Sequence, residues 1–175
     1  MNAIGLLRAQ TVAAHGNLLA IFGDLSEADA HREPGGRAFS PAANFAHAVS
    51  IEDFFVNRIL RDHVPLMDTT ETGVSSPLPA ITGTWSSDHD AWARSLRVDL
   101  PTAREYAKRV FASTEEWISA LAEADLDRPV DLGLIGMGEY PLALSYNLLV
   151  VSHGQNLAGE MSAGKGVLGL RGYPF

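Results

Sequence analysis

Two histidines carry the chemistry that this sequence offers most clearly. His47 lies in the segment NFAHAVSIEDFF and His153 in the segment SHGQNLAGEM, and each falls among apolar residues at helical spacing. With about 100° of rotation per residue, each shares the apolar face of its helix, so both side chains are expected to point inward. Neutral imidazole is a common ligand of divalent transition metals. Both residues are therefore candidate metal ligands, and the alternative is a pair of core histidines hydrogen-bonded to each other.

A third ligand is not fixed by the sequence. The chain has no cysteine, so any metal ion must be bound by nitrogen and oxygen atoms. His15, Asp88 and His89 are further donors, the first at the edge of a helix and the others in a loop-like stretch. Glu160, expected to face inward, lies about 10.5 Å along the helix axis from the preceding histidine, too far for both to bind one ion. Asn156 has the reach, but its amide is a poor ligand for a transition metal.

Composition and charge exclude several classes of function. The formal net charge of -8 and the pI near 5.1 argue against nucleic acid as a partner, because that binding depends on clustered Lys and Arg. The longest apolar stretch, residues 142–151, is interrupted by polar residues and is shorter than the ~20 residues that cross a bilayer, so no membrane partner is expected. The N-terminus lacks the pattern of a secretory signal, which predicts a cytoplasmic protein.

Four segments with a helical period must position the histidines. The apolar spacing predicts helices over residues 7–25, 40–61, 99–125 and 142–163, with Ser40 as an N-cap and Pro41 in the first turn of the second helix. No strand-like alternation competes with them, so the sequence predicts an all-α four-helix bundle forming one domain, residues 1–175. The stretch from 63 to 92 is either a crossover or a functional loop, and the Gly-rich C-terminus is expected to fold back over one end of the bundle.

The glycine motif near the C-terminus does not indicate a nucleotide site. Gly164, Gly166 and Gly169 match GxGxxG, but this fingerprint must follow a strand and open a helix, whereas here it follows a predicted helix. The sequence also has no GxSxG elbow, HExxH motif or acidic calcium loop. Hydrolase and nucleotide-binding functions therefore have no support.

Three segments together resemble the DinB/YfiT-like superfamily of metal-dependent enzymes: NFAHAVSIEDFF, REYAKRVFASTEEWISALAEADLDRPVD and YNLLVVSHGQNLAGEMSAGKGVLGLRGYPF. The resemblance covers nearly the whole chain, and its ending is the most specific part. It implies a four-helix bundle with a long crossover between helices two and three, often dimeric, with a nickel or zinc ion at one end. Some relatives are transferases or isomerases that use a low-molecular-weight thiol.

The same resemblance implies particular ligands. His47 corresponds to the ligand of helix two and His153 to the first ligand of helix four, while the second ligand of helix four would be residue 157, which here is Leu157. Two functions therefore follow. The first is a divalent-metal-dependent enzyme that acts on small electrophiles with a thiol or water. The second is a degenerate, metal-free bundle that binds a small molecule or a protein, and in both cases a homodimer is expected.

Overall fold

The computed structural model describes residues 2–80 and 87–173, and within them it is predominantly helical. Seven α-helices are found in these ranges: α1 Ala3–Gly23, α2 Glu27–Ala30, α3 Pro41–Asp53, α4 Ser87–Ser95, α5 Leu100–Ala120, α6 Leu142–Tyr146 and α7 His153–Val167. Two π-helical segments, π1 Phe54–Leu60 and π2 Asn147–Ser152, continue α3 and join α6 to α7. None of the described helices is both long and apolar enough to span a membrane.

Four helical rods form the bundle, which confirms the all-α fold predicted from the sequence. The rods are α1, α3 with π1, α5, and α6 with π2 and α7. Helices α1 and α3 each pack against both α5 and α7, so apolar stripes from all four rods meet in the core. The crossover between the second and third rods contains the short helix α4.

Capping residues define where the second and third rods begin. The Ser40 hydroxyl accepts a hydrogen bond from the Ala43 N–H at 3.2 Å, and Pro41 follows it, as the sequence predicts. Helix α5 begins after Asp99 and ends at Ala120, one turn before the predicted end. The Asp125 carboxylate accepts the Ala122 N–H at 2.7 Å, which starts a separate 3-10 turn instead of continuing the helix.

A small hairpin, which the helical pattern of the sequence did not predict, precedes α6. Strands β1 Pro129–Asp131 and β2 Glu139–Pro141 pair antiparallel, with Val130 opposite Tyr140. Each strand has three residues, too few to show the alternation by which strands are recognised in a sequence. Gly136, at φ +74°, permits the turn between them.

The crossover is attached to the bundle through one buried carboxylate. Asp53, the last residue of α3, is fully buried and accepts hydrogen bonds from the Leu66 N–H at 2.9 Å and the Met67 N–H at 2.7 Å. The Tyr106 hydroxyl of α5 donates to the same carboxylate at 2.8 Å, and Asn57 donates at 2.7 Å. The carboxylate therefore joins two rods and the loop that follows the second.

Candidate functional site

The structure brings His47 and His153 together. His47 lies in the middle of α3, and His153 is the first residue of α7, directly after π2. Their Nε2 atoms are 3.2 Å apart, with ring centroids 5.0 Å apart and ring planes at 70°. A hydrogen bond at this distance requires one Nε2 to donate and the other to accept. The inward orientation predicted from the two helix faces therefore places both imidazoles at one point.

Both imidazoles are held in the neutral form. Burial, together with the nearby charges of protonated His153 and His89, lowers the pKa of His47 to about 3. Burial likewise lowers the pKa of His153 to about 4. A neutral imidazole carries one N–H donor and one acceptor nitrogen, so the pair has the proton arrangement that a shared hydrogen bond requires at pH 7.

The donor set does not fit a three-ligand metal centre. Two nitrogens bound to one tetrahedral ion at about 2.0–2.1 Å lie about 3.3 Å apart, so the separation of the two Nε2 atoms would suit an ion. The position one turn after His153, however, carries Leu157, a buried apolar side chain. Across the described ranges, no group of three or more His, Asp or Glu side chains is placed to hold an ion. An open catalytic site normally has three protein ligands, and this pocket supplies two.

The other donors considered from the sequence do not complete the set. His89 lies on α4 and is buried, which corrects the expectation that it sits in a loop, while its neighbour Asp88 is exposed. Glu160 is also exposed, so the expectation that it faces inward is wrong. Asn156, one turn before it, is exposed as well.

His15 is held in a separate cluster that the sequence did not reveal. Its Nε2 lies 2.9 Å from a Glu52 carboxylate oxygen, its Nδ1 lies 2.9 Å from Glu115, and its ring stacks on Phe111 at 3.8 Å. Burial opposes the charged form, but hydrogen bonds and charge from Glu52 and Glu115 outweigh it and raise the pKa of His15. Both ring nitrogens of His15 therefore contact carboxylates, and His15 does not serve as a third metal ligand beside His47 and His153.

An apolar cavity of about 180 Å³, here called the chamber, ends at the histidine pair. One wall comes from π1 and another from π2, through Phe54, Ile59 and Leu149. The hairpin covers the chamber with Leu132 and Ile135. A ligand in the chamber would thus be surrounded by apolar side chains on nearly every side.

A polar cavity of about 440 Å³, here called the vestibule, is also lined by His47 and His153. Its other lining residues are mostly polar or charged: Arg37, Phe39, Asn44, Asp90, Asn156, Leu157 and Glu160. The histidine pair therefore belongs to the walls of both cavities. A molecule with a polar end and an apolar end could occupy both sides of the pair.

The two π-helical segments could not be predicted from the sequence. In a π-helix the backbone bonds run from i to i+5, and such segments inside α-helices occur frequently at functional sites. Here π1 follows α3 beyond His47 and π2 immediately precedes His153, so both widen their rods beside the chamber. Their residues, FFVNRIL and NLLVVS, carry no Gly or Pro that would indicate an irregular helix.

A wider groove of about 870 Å³ lies away from the histidine pair, between α2 and residues 71–75 and 97–99. Its one histidine, His31, donates from Nδ1 to the Glu27 carbonyl at 2.8 Å and accepts the Val98 N–H at Nε2 at 3.0 Å. Both ring nitrogens thus hold backbone groups in place. Its described lining residues include no second histidine that could form a pair like His47 and His153.

Known proteins resemble the chain in sequence and in fold. Residues 10–155 match the sequence profile of the DinB superfamily. The crystal structure of a conserved protein from Enterococcus faecalis superposes with a TM-score of 0.77 over 97% of this chain and 99% of that chain, at 17% sequence identity, which is a likeness of fold alone. No curated protein matches the chain. The profile spans most of the sequence, and the chain therefore belongs to the DinB superfamily.

Proposed function

We propose that the protein binds a small organic molecule at the His47–His153 pair and does not need a metal ion to do so. The observation that supports this proposal is the 3.2 Å contact between the two Nε2 atoms, with Leu157 at the position of a third ligand. The nitrogens that would face an ion are engaged with each other. The chamber and the vestibule on either side of the pair offer a ligand both apolar and polar contacts.

A second candidate function is a divalent-metal-dependent enzyme that acts on small electrophiles with a low-molecular-weight thiol or water. It is favoured by the same 3.2 Å distance, which is close to the spacing of two nitrogens on a nickel or zinc ion. The two protein donors leave this set incomplete, so the metal-free function is the one we favour.

Metal content separates the two candidates. Protein purified without an affinity tag should contain far less than one equivalent of nickel or zinc by elemental analysis, and its melting temperature should not change with a chelator. Stoichiometric metal that disappears in His47→Ala would overturn the metal-free proposal and support the enzyme.

Binding is tested by protein-observed NMR of the histidine ring signals. A small fragment library should contain molecules that shift the His47 and His153 signals in metal-free protein. His47→Ala should weaken the binding of these fragments. His63→Ala, which changes an exposed histidine, should leave their binding unchanged. A library in which no fragment of any class shifts the two signals would contradict the proposal.

We further propose that the protein is a homodimer that pairs through the outward face of α1. This face carries small and apolar residues, with Leu6 and Val12 each at least half exposed. Arg8 is the one Lys, Arg, Asp or Glu residue of the helix, although the whole chain has 21 acidic residues. A helix that is apolar on all sides is normally buried on all sides, and two such faces can meet without charge repulsion.

A further inference from the structure

We propose that the chamber takes an uncharged ring or short branched chain whose single hydroxyl or carbonyl group bonds to the histidine pair. This inference rests on the proposed small-molecule function and names the class of ligand. Three features of the chamber carry it: its volume, the charges in its walls, and the hydrogen-bonding capacity left at the pair.

The volume sets the size of the group. The chamber holds about 180 Å³. An apolar cavity of about 150 Å³ in another protein stays dry and binds benzene. One six-membered ring with one or two substituent atoms therefore fills this chamber, and a fused ring system or a long acyl chain exceeds it.

The walls exclude charge. Among the described residues that line the chamber, Asp131 is the one with a formal charge, and its carboxylate accepts the Gly133 N–H at 2.8 Å. The lining includes no Lys or Arg from the described ranges that would pair with an anion. A charged group brought among these apolar side chains would lose its hydration without a partner. The group that enters is thus neutral.

His153 lines the chamber and is the residue of the pair that we assign to the ligand. His153 uses Nε2 to contact His47, and its Nδ1 makes no hydrogen bond with any described residue. If Nε2 donates within the pair, Nδ1 is an acceptor and receives a hydroxyl proton. If Nε2 accepts, Nδ1 carries the proton and donates to a carbonyl oxygen. Either tautomer therefore recognises a neutral polar atom on the ligand.

Six probes test the class of ligand: 4-methylphenol and toluene, and the charged probes benzoate and benzylamine, each with a neutral probe of the same size, benzamide and benzyl alcohol. Dissociation constants come from NMR titration of the metal-free protein at pH 7. We expect 4-methylphenol to bind about 3- to 10-fold more tightly than toluene, which is the range of one net hydrogen bond. The anion and the cation should each bind at least tenfold more weakly than the neutral probe of the same size. His153→Phe should bring the 4-methylphenol and toluene constants within about twofold of each other.

Chamber-filling variants locate the binding. Leu149→Trp should weaken the binding of 4-methylphenol at least tenfold. Leu144→Trp, a matched change at an exposed leucine of α6, should leave the dissociation constant unchanged. Ile59→Phe fills the same space from π1 and replaces Leu149→Trp if that variant does not fold.

Two results would overturn the inference. The first is binding of benzoate or benzylamine as tight as that of its neutral counterpart, and the second is unchanged binding in a folded chamber-filling variant. Both leave the proposed small-molecule function standing when the probe still shifts the His47 and His153 ring signals. Stoichiometric metal in the purified protein would instead contradict the proposed function itself.

Discussion

At the scale of single residues, position 157 decides which donors face the histidine pair. Leu157 follows His153 by one helical turn, where side chains of one face are neighbours. Leu157→His should therefore add a third imidazole and convert the pocket into a nickel or zinc site. We expect nickel at about 100 times its Kd to raise the free energy of unfolding of this variant by ~2.7 kcal/mol. Chemical denaturation with and without nickel measures the effect.

The control for this gain of metal binding is Leu157→Asn, which makes the same site polar without a good transition-metal ligand. Its stability should be indifferent to nickel. A nickel response of equal size in the wild-type protein would show that two histidines suffice, and would favour the metal-dependent candidate.

His15 gives the folded protein a pH dependence of defined sign. The groups facing it are Glu52 of α3, Glu115 of α5 and the Phe111 ring, and the two carboxylates raise the pKa of His15 above the value of about 6.5 expected for an unfolded chain. The folded state therefore holds this proton more tightly. The protonated His15 therefore stabilises the folded state fully below about pH 6.5, and this stabilisation is lost as the pH rises through the raised pKa.

Urea unfolding from pH 5.5 to 9 measures this loss against a variant without the imidazole. The stability advantage of wild type over His15→Gln should shrink as the pH rises. His63→Gln, at an exposed histidine, should follow the wild-type curve. A difference between wild type and His15→Gln that grows with pH would contradict the assignment.

The sequence predicted one histidine cluster and missed the other for a physical reason. His47 and His153 each lie on the apolar face of a helix, and periodicity is enough to turn both inward. His15 meets Glu52 and Glu115 only because three helices bring them together. Acidic residues at helical spacing look the same in a sequence whether they face water or a buried imidazole.

At the scale of elements, Asp53 connects π1, α5 and the crossover. Asp53→Asn replaces one carboxylate oxygen with a donor, although the group accepts two backbone N–H bonds and a tyrosine hydroxyl. We expect it to lower the free energy of unfolding by ~2–4 kcal/mol. Hydrogen exchange should show faster opening at Leu66 and Met67, because their N–H groups bond to different oxygens of Asp53 and one of the two loses its acceptor.

Asp68→Asn is the matched control for this change. Asp68 lies in the crossover beside Leu66 and Met67 but is exposed, and its ion pair with Arg58 is 3.8 Å long. Its substitution should change stability by less than ~0.5 kcal/mol. Equal effects of the two Asp→Asn changes would show that the buried carboxylate does not hold the crossover.

The elements that shape the chamber are those that the sequence did not predict. The four rods follow from apolar periodicity and from caps such as Ser40 and Pro41. The hairpin and the segments π1 and π2 depend instead on three-residue pairings and on a shift from i→i+4 to i→i+5 bonds, neither of which changes the residue pattern. The position of the histidines was thus predictable, whereas the cavity beside them was not.

At the scale of the whole molecule, charge is distributed unevenly over the helices. The chain has a net charge of -8, yet no Asp or Glu lies in α1. The acidic residues therefore lie on other elements, where they repel a second copy. Two copies that meet along α1 bring no carboxylate of that helix together, and Glu115 and Glu116 of α5 lie at the edge of this face beside Val12.

The proposed dimer predicts that a large cation in the middle of α1 separates the subunits. Ala13 is exposed on the outward face of α1, and Ala13→Arg places a long charged side chain where two helices would approach closely. Arg is a good helix former, so the fold of each subunit should be retained. Sedimentation equilibrium should show a dimer for the wild type and a dissociation constant at least ~10-fold larger for Ala13→Arg.

Ala112→Arg, the same change at an exposed alanine of α5, should leave the dimer intact. A wild-type protein that stays monomeric at 100 μM, or an Ala13→Arg variant that dimerises as the wild type does, would exclude α1 as the interface.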